Sequence, residues 1–210
     1  MLTDLSLIII ASLSAIALAG TVLLLIPLFR RAYYRSHLLP IYGKFIYHIA
    51  LYNDYYLINK MDLPIDTDHR AHIDHILFGE KYIYVIKDKY YNGSLAGKEN
   101  DESWVYFPDD RRKSRYIDNP LKINRQRTEK LSLFTGLNED LFISVVVVNN
   151  DCLLEKYESN SRRDYVVQIG KLNKLIEAIE SRQVPKINDE QLEQAVQDIA
   201  RINKDAKNEG

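Results

Sequence analysis

A chain of 210 residues, 46% hydrophobic and 27% charged, is long enough for one globular domain with appendages and too apolar to be disordered. Its formal net charge of -1 excludes the strong basic excess of a protein whose main work is wrapping nucleic acid, while leaving room for a local basic face. Cys152 is the only cysteine, which excludes an intrachain disulfide framework and a cysteine-based zinc cluster, and fits a reducing compartment.

No charged side chain occurs between residues 5 and 29. At 1.5 Å per residue this run makes roughly 37 Å of helix, enough for a ~30 Å hydrocarbon core. Gly20 and Pro27 lie inside it, and membrane helices tolerate both. Tyr33 and Tyr34 follow at the level of an interface. Asp4 is the one charged side chain before the run, whereas Arg30, Arg31 and Arg35 come directly after it. This asymmetry predicts a single-pass protein of the cell membrane with its N-terminus outside and the remainder cytoplasmic. Ala17-Leu18-Ala19 resembles a signal-peptide cleavage site. Against that reading, no basic residue precedes the run and it continues through Ile26. Three segments result: a membrane helix with its basic flank (1–35), a domain (36–183), and a C-terminal amphipathic helix with a charged tail (184–210).

Residues 41–54 read as a helix, with Ile41, Phe45, Ile49 and Tyr52 at helical spacing. Strands are predicted at 55–59, 71–78 and 82–89, the last two joined by a turn at Glu80-Lys81, and a fourth around 104–107, ending at Pro108. A charged loop then leads to Asn119-Pro120, where a helix opens and runs to Gly136. The β-branched run at 141–148 reads as a strand buried on both faces. A weaker strand at 165–169, a helix at 171–181 and a final helix capped by Asp189, with Leu192, Val196, Ile199 and Ile202 as its stripe, complete the chain. Strands interleaved with helices predict an α/β domain with one mixed central sheet flanked by helices.

The hairpin of the second and third strands brings Asp74 near Lys87-Asp88-Lys89. Carboxylates that hold a divalent cation and a lysine that orients the attacking water are what a metal-dependent nuclease needs. A solvated strand edge accounts for the same pattern. His48, His69, His72 and His75 are close in sequence, and His72 shares a strand face with Asp74, which makes Asp74 and His72 a candidate N/O metal pair. Two basic stretches, Arg111 to Arg115 and Lys122, Arg125, Arg127 and Lys130, are candidates for phosphates of nucleic acid or lipid. Asp109, Asp110, Asp118 and Glu129 are interleaved with them, so a self-paired surface is the competing reading.

Ile73-Asp74-His75-Ile76-Leu77, then Tyr82 to Gly93 with Lys87-Asp88-Lys89 at the strand end, then Gly97, Trp104 and Asn119-Pro120-Leu121-Lys122-Ile123-Asn124, together resemble the nuclease-related domain family. Its pattern runs Gln-Ile-Asp-His, a strand ending Val-Ile-Glu-x-Lys, a glycine turn, a tryptophan and an Asn-Pro helix start. The resemblance covers about residues 42–150, and family members often carry a transmembrane helix. It implies a restriction-endonuclease-like α/β core with an Asp…Glu-x-Lys site for Mg²⁺ or Mn²⁺. Asp74 matches the metal-binding aspartate and Lys89 the lysine, while His72 stands at the glutamine position. Lys87 occupies the glutamate position, and Gly43-Lys44 matches an upstream Gly-Glu pair. Asp88 is the obvious substitute carboxylate, yet strand alternation turns it to the face opposite Lys87 and Lys89.

The leading reading is therefore a membrane-anchored nuclease-related domain with a degenerate site. Such a protein binds nucleic acid through residues such as Lys122, Arg125 and Arg127, or a protein partner through its C-terminal helix. An active Mg²⁺- or Mn²⁺-dependent nuclease and a purely structural membrane protein are the alternatives.

Overall fold

The computed structural model describes residues 2–64, 70–109, 113–158 and 160–208. His69, Asp110, Arg111 and Arg112, named above, lie outside the described residues. The chain divides into two compact units, residues 1–41 and 42–210.

The first unit is dominated by α1 (Leu2–Ser36), a continuous helix with Pro27 inside it. Among the described residues its segment Ala11–Tyr34 is the one helix long and apolar enough to cross a membrane. Leu18, Leu23, Leu24 and Phe29 are exposed along it, a surface that water penalises and hydrocarbon accepts. Helix α2 (Leu38–Asn53) begins just beyond it.

In the second unit, α2 buries Tyr42, Ile46, Ile49 and Ala50, whereas Phe45 and Tyr52 of the predicted stripe are exposed. The inward face is turned by about one residue because this helix is apolar on both sides, so period alone selects no face. The central sheet has the order β1-β2-β3-β7-β9. Strands β1 (Tyr56–Pro64), β2 (Arg70–Phe78) and β3 (Ile83–Lys89) form an antiparallel meander. β7 (Phe142–Val148) and β9 (Asp164–Gln168) extend it in parallel from β3. Every residue of β7 is buried, as a near-continuous valine run demands.

Largely between β3 and β7 the chain builds a second sheet, of which sequence reasoning predicted one strand. β4 (Gly93–Lys98), β5 (Ser103–Pro108), β6 (Arg115–Asp118) and, later, β8 (Leu153–Glu158) pair in the order β6-β5-β4-β8. Only β5 was foreseen. β4 carries two glycines and β6 is four residues long, so neither shows an alternating apolar pattern. Trp104 anchors this sheet in a cluster with Leu95, Tyr106, Leu121, Val146 and Val148, joining it to α3 and β7. Gly97 is where the backbone passes the indole, and a Cβ there would overlap the Trp104 ring.

Helix α3 (Pro120–Thr135) begins and ends as predicted. Asn119 Oδ1 accepts from the N–H groups of Leu121 and Lys122 at 2.9 and 3.2 Å, and Gly136 closes the helix at φ 66°. Buried Asn124 donates to the Val85 carbonyl at 2.9 Å and to Ser144 Oγ at 3.0 Å, fixing α3 across β3 and β7. Helix α4 (Leu172–Glu180) packs on β9, and α5 (Asp189–Asn208) on β1. The α5 cap is Asn188, whose Oδ1 accepts from Glu190 N at 2.9 Å, with Asp189 already inside the helix. Leu192, Val196, Ile199 and Ile202 of α5 pack into the cluster formed by Met61, Leu63, Ile73, Ile76 and Val85.

Gly97→Ala is expected to lower stability by about 1–3 kcal/mol, the usual cost of overpacking a filled site. Thermal unfolding followed by circular dichroism measures this, and a midpoint equal to wild type would show that the indole yields.

Candidate nuclease-type site on strands β2 and β3

The pairing of β2 with β3 runs from Phe78↔Ile83 to His75↔Ile86. Asp74 and Lys87 stand one step beyond the last pair. There the Asp74 carboxylate takes over from the ladder, its Oδ2 accepting the Asp88 backbone N–H at 2.8 Å. The same oxygen lies 2.8 Å from Lys87 Nζ. Both side chains are largely shielded, Lys87 being 15% and Asp74 6% exposed. Asp74 Oδ1 lies 3.3 Å from His72 Nε2, and His72 Nδ1 lies 2.9 Å from Asp62 Oδ1 of β1. Opposite Asp74, between the β1–β2 pairs Asn59↔His75 and Met61↔Ile73, β1 carries Lys60 at φ 59°. That left-handed conformation is uncommon for a non-glycine residue and marks a local distortion beside the site.

On the other side of β3 a second polar pair is sealed in the core. His75 Nε2 lies 2.8 Å from Asp88 Oδ2, and its Nδ1 lies 2.6 Å from Asn59 Oδ1. Burial pushes the Asp88 carboxyl above its usual range, and the hydrogen bond from His75 pulls it back. Asp88 thus gives Asp74 its backbone N–H and gives its carboxylate to His75. Gly43 of α2 admits this histidine, since a Cβ at 43 would sit 3.3 Å from His75 Cε1. Lys44 and His48 are exposed.

The cations of α3 separate into two groups. Lys122 pairs with Glu102 at 2.5 Å, and Arg125 with Glu99 at 2.8 Å and Asp164 at 3.0 Å. The Arg125 Nε–Asp164 contact is short but poorly aligned for a hydrogen bond. Arg127 is one turn beyond Asn124 on the inward side and lies within electrostatic reach of Asp74 and Lys89. Burial is the chief reason that Lys89 and Arg127 are held below their usual ranges. Lys87 and Arg127 add to the effect on Lys89, and Asp74 and Asp118 oppose it. Sequence reasoning brought Asp74, Lys87, Lys89 and His72 together but missed the His75–Asp88–Asn59 chain and Asp62. It also left Arg127 undivided from its neighbours, although the inward positions 124, 128 and 131 bracket it.

A sequence model of the family described as "Nuclease-related domain" matches residues 43–149, just over half of the chain. The chain belongs to the nuclease-related domain family. The matched span runs from α2 to the end of β7, so the mixed central sheet flanked by helices is the restriction-endonuclease-like core of this nuclease-related domain. An uncharacterized protein of Bacillus anthracis is 24% identical over 127 residues, 59% of this chain. The chain spans 57% of that protein's length. No solved structure matches.

A nuclease-related domain implies a divalent cation at Asp74, and the donor set here does not fit one. Of the two oxygens of Asp74, Oδ2 is engaged by an ammonium and an amide N–H, and Oδ1 faces an imidazole. Among the described residues no three His, Cys, Asp or Glu side chains converge as a metal site. A divalent cation at Asp74 would also meet the Lys87 charge. At an effective dielectric near 20 a unit charge pair ~4 Å apart is worth about 4 kcal/mol, and a divalent ion roughly doubles that repulsion.

Lys89 offers a pH test of this crowding. An amine held below its ordinary value of 10.5 charges less readily in the fold than in the unfolded chain. Its unfavourable contribution is therefore complete below the lowered value and fades as pH rises from that value towards 10.5. Lys89→Met is expected to be more stable than wild type on the acid side of that window, with the gap closing as pH rises towards 10.5. Chemical denaturation across that range measures the gap, and a pH-independent difference would contradict it.

Proposed function

We propose that this nuclease-related domain is anchored by α1 in the cell membrane, faces the cytoplasm, and binds nucleic acid without hydrolysing it. The observation that carries the reading is the Lys87 ammonium 2.8 Å from Asp74 Oδ2, at the strand position where the family pattern has a metal-ligating glutamate. Hydrolysis of a phosphodiester at such a site needs a cation to polarise the phosphate and a water made nucleophilic beside it. Lys87 neutralises the remaining carboxylate instead. What persists is the capacity to attract phosphate, since Lys87 pairs with Asp74 and the half-buried cations Lys89 and Arg127 lie within electrostatic reach of the same aspartate. Retention of Asp74 and Lys89 supports the second reading, an active nuclease.

The two readings separate in an assay of the full chain in detergent micelles with Mg²⁺ or Mn²⁺ and either DNA or RNA. Cleavage no greater than that of Asp74→Asn is the expected result, and metal-dependent cleavage lost in Asp74→Asn would overturn the non-hydrolytic reading. Lys87→Glu removes the blocking ammonium and restores a second carboxylate. It should raise Mn²⁺ affinity at least tenfold by calorimetry, and the gain should vanish in an Asp74→Asn background. A folded Lys87→Glu protein with no gain would mean that β2 and β3 do not form the metal site of the family.

The anchoring rests on a 24-residue candidate span and on the sequence asymmetry of Asp4 against Arg30, Arg31 and Arg35. A reporter fused after Gly210 is expected inside the cell; an extracellular signal would reverse the orientation.

A further inference from the structure

Helix α2 is apolar on both of its sides, and the domain covers one of them, burying Tyr42, Ile46, Ile49 and Ala50. On the opposite side Phe45 is 39%, Tyr47 53%, Leu51 65% and Tyr52 88% exposed. Helical period gathers these four on one face with Lys44 and His48. A helix on the surface of a water-soluble domain buries a single apolar stripe and turns charged and polar side chains outward. This one turns out two tyrosines, a phenylalanine and a leucine, and Lys44 is the one Lys, Arg, Asp or Glu it contains. The charge pattern says what covers such a face. The chain has 29 Asp and Glu, yet none falls between residues 5 and 53, a stretch that holds Arg30, Arg31, Arg35 and Lys44. The acid-free stretch therefore runs from the apolar segment through the whole of α2. Leu38 opens α2 four residues after Tyr34, where the candidate span ends, and four residues of chain reach at most about 14 Å.

We propose that the outward face of α2 lies in the interface of the bilayer, a second membrane contact besides α1, with Phe45, Tyr47, Leu51 and Tyr52 entering the headgroup and upper acyl region and Lys44 meeting anionic headgroups. This rests on the anchoring reading above and adds to it a surface of the domain itself. Tyrosine suits that boundary because its ring enters hydrocarbon while its hydroxyl stays wet. A basic side chain on a face without acids is drawn to anionic lipid, and a face of this kind sinks about 5–10 Å into the headgroup and acyl boundary. The domain is then held against the lipid and does not swing on a short tether. A second copy of the chain is the other surface that could cover the face. Lipid is favoured because an isologous pairing of two such helices sets like charges together and offers Lys44 no carboxylate from either helix.

The test uses the full chain in vesicles of phosphatidylcholine and phosphatidylglycerol, with one tryptophan introduced at a time as Leu51→Trp or Tyr52→Trp. Both positions are exposed, so neither substitution disturbs the core. Trp104, the native tryptophan, is 1% exposed, and wild type measures its constant contribution. Each new tryptophan should emit to the blue of its position in the urea-unfolded chain, lose about half of its intensity or more to lipids brominated near the headgroup end of the acyl chain, and resist iodide in the water. Lys44→Glu should reduce the lipid quenching in these vesicles more than in phosphatidylcholine alone. Quenching by iodide and not by brominated lipid, with the chain retained by the vesicles after alkaline carbonate extraction, would overturn the interfacial placement and leave the anchoring standing. Release of the chain by carbonate would overturn the anchoring and this proposal with it. A blue emission that brominated lipid leaves intact, and that moves to the red as the chain is diluted in lipid, would assign the face to a second copy and defeat the choice of lipid.

Discussion

The ammonium of Lys87 against the carboxylate of Asp74, 2.8 Å apart and mostly shielded from water, is the contact on which the chemistry of this molecule turns. Neither charge is tolerable alone at that depth, since removing one partner of a buried pair leaves the other uncompensated at a cost of about 3–5 kcal/mol. Each residue therefore fixes the other. Asp74 also accepts the Asp88 N–H, so the pair holds β2 to β3 just where their ladder ends. His72 extends the link to Asp62 on β1. Three strands are tied by one carboxylate.

Strand alternation divides the labour of Lys87-Asp88-Lys89. The two lysines share a face with Asp74, and Asp88 is turned into the core, where it meets His75, whose other ring nitrogen faces Asn59. A carboxylate adjacent in sequence to Lys87 and Lys89 is thus turned away from Asp74 and committed to His75. The helix that closes this side is placed by Asn119 at its start and by Asn124 across β3 and β7. Once those two asparagines are set, helical period alone sends Arg127 inward and Lys122 and Arg125 towards the carboxylates of the small sheet and β9.

Legibility followed the range of the interaction that decides each feature. The uncharged run at 5–29, the valines of β7, and the Asn-Pro start and glycine stop of α3 are specified by side chains within a few residues of one another, so the sequence could be read directly. The order of short motifs identified the family from the same local information. The face of α2 was misread because Tyr42, Phe45, Ile46 and Tyr52 leave both sides apolar. Only packing against the sheet chooses between them.

What the chain by itself determined is an apolar helix, an α/β core of nuclease-related type, and the placing of Lys87 and Lys89 on one strand face with Asp88 on the other. Each depends on composition, period or spacing, quantities that exist before the chain folds. Tertiary structure alone decided the second sheet, whose glycine-bearing β4 and four-residue β6 are held by Trp104 and by pairing with strands distant in sequence. It alone decided which cations find a carboxylate. Arg125 reaches Glu99 and Asp164, 26 and 39 positions away, while Lys89 and Arg127 form no ion pair among the described residues. Charge partnership is a property of distance in space, and a one-dimensional pattern of lysines, arginines and acids does not contain it.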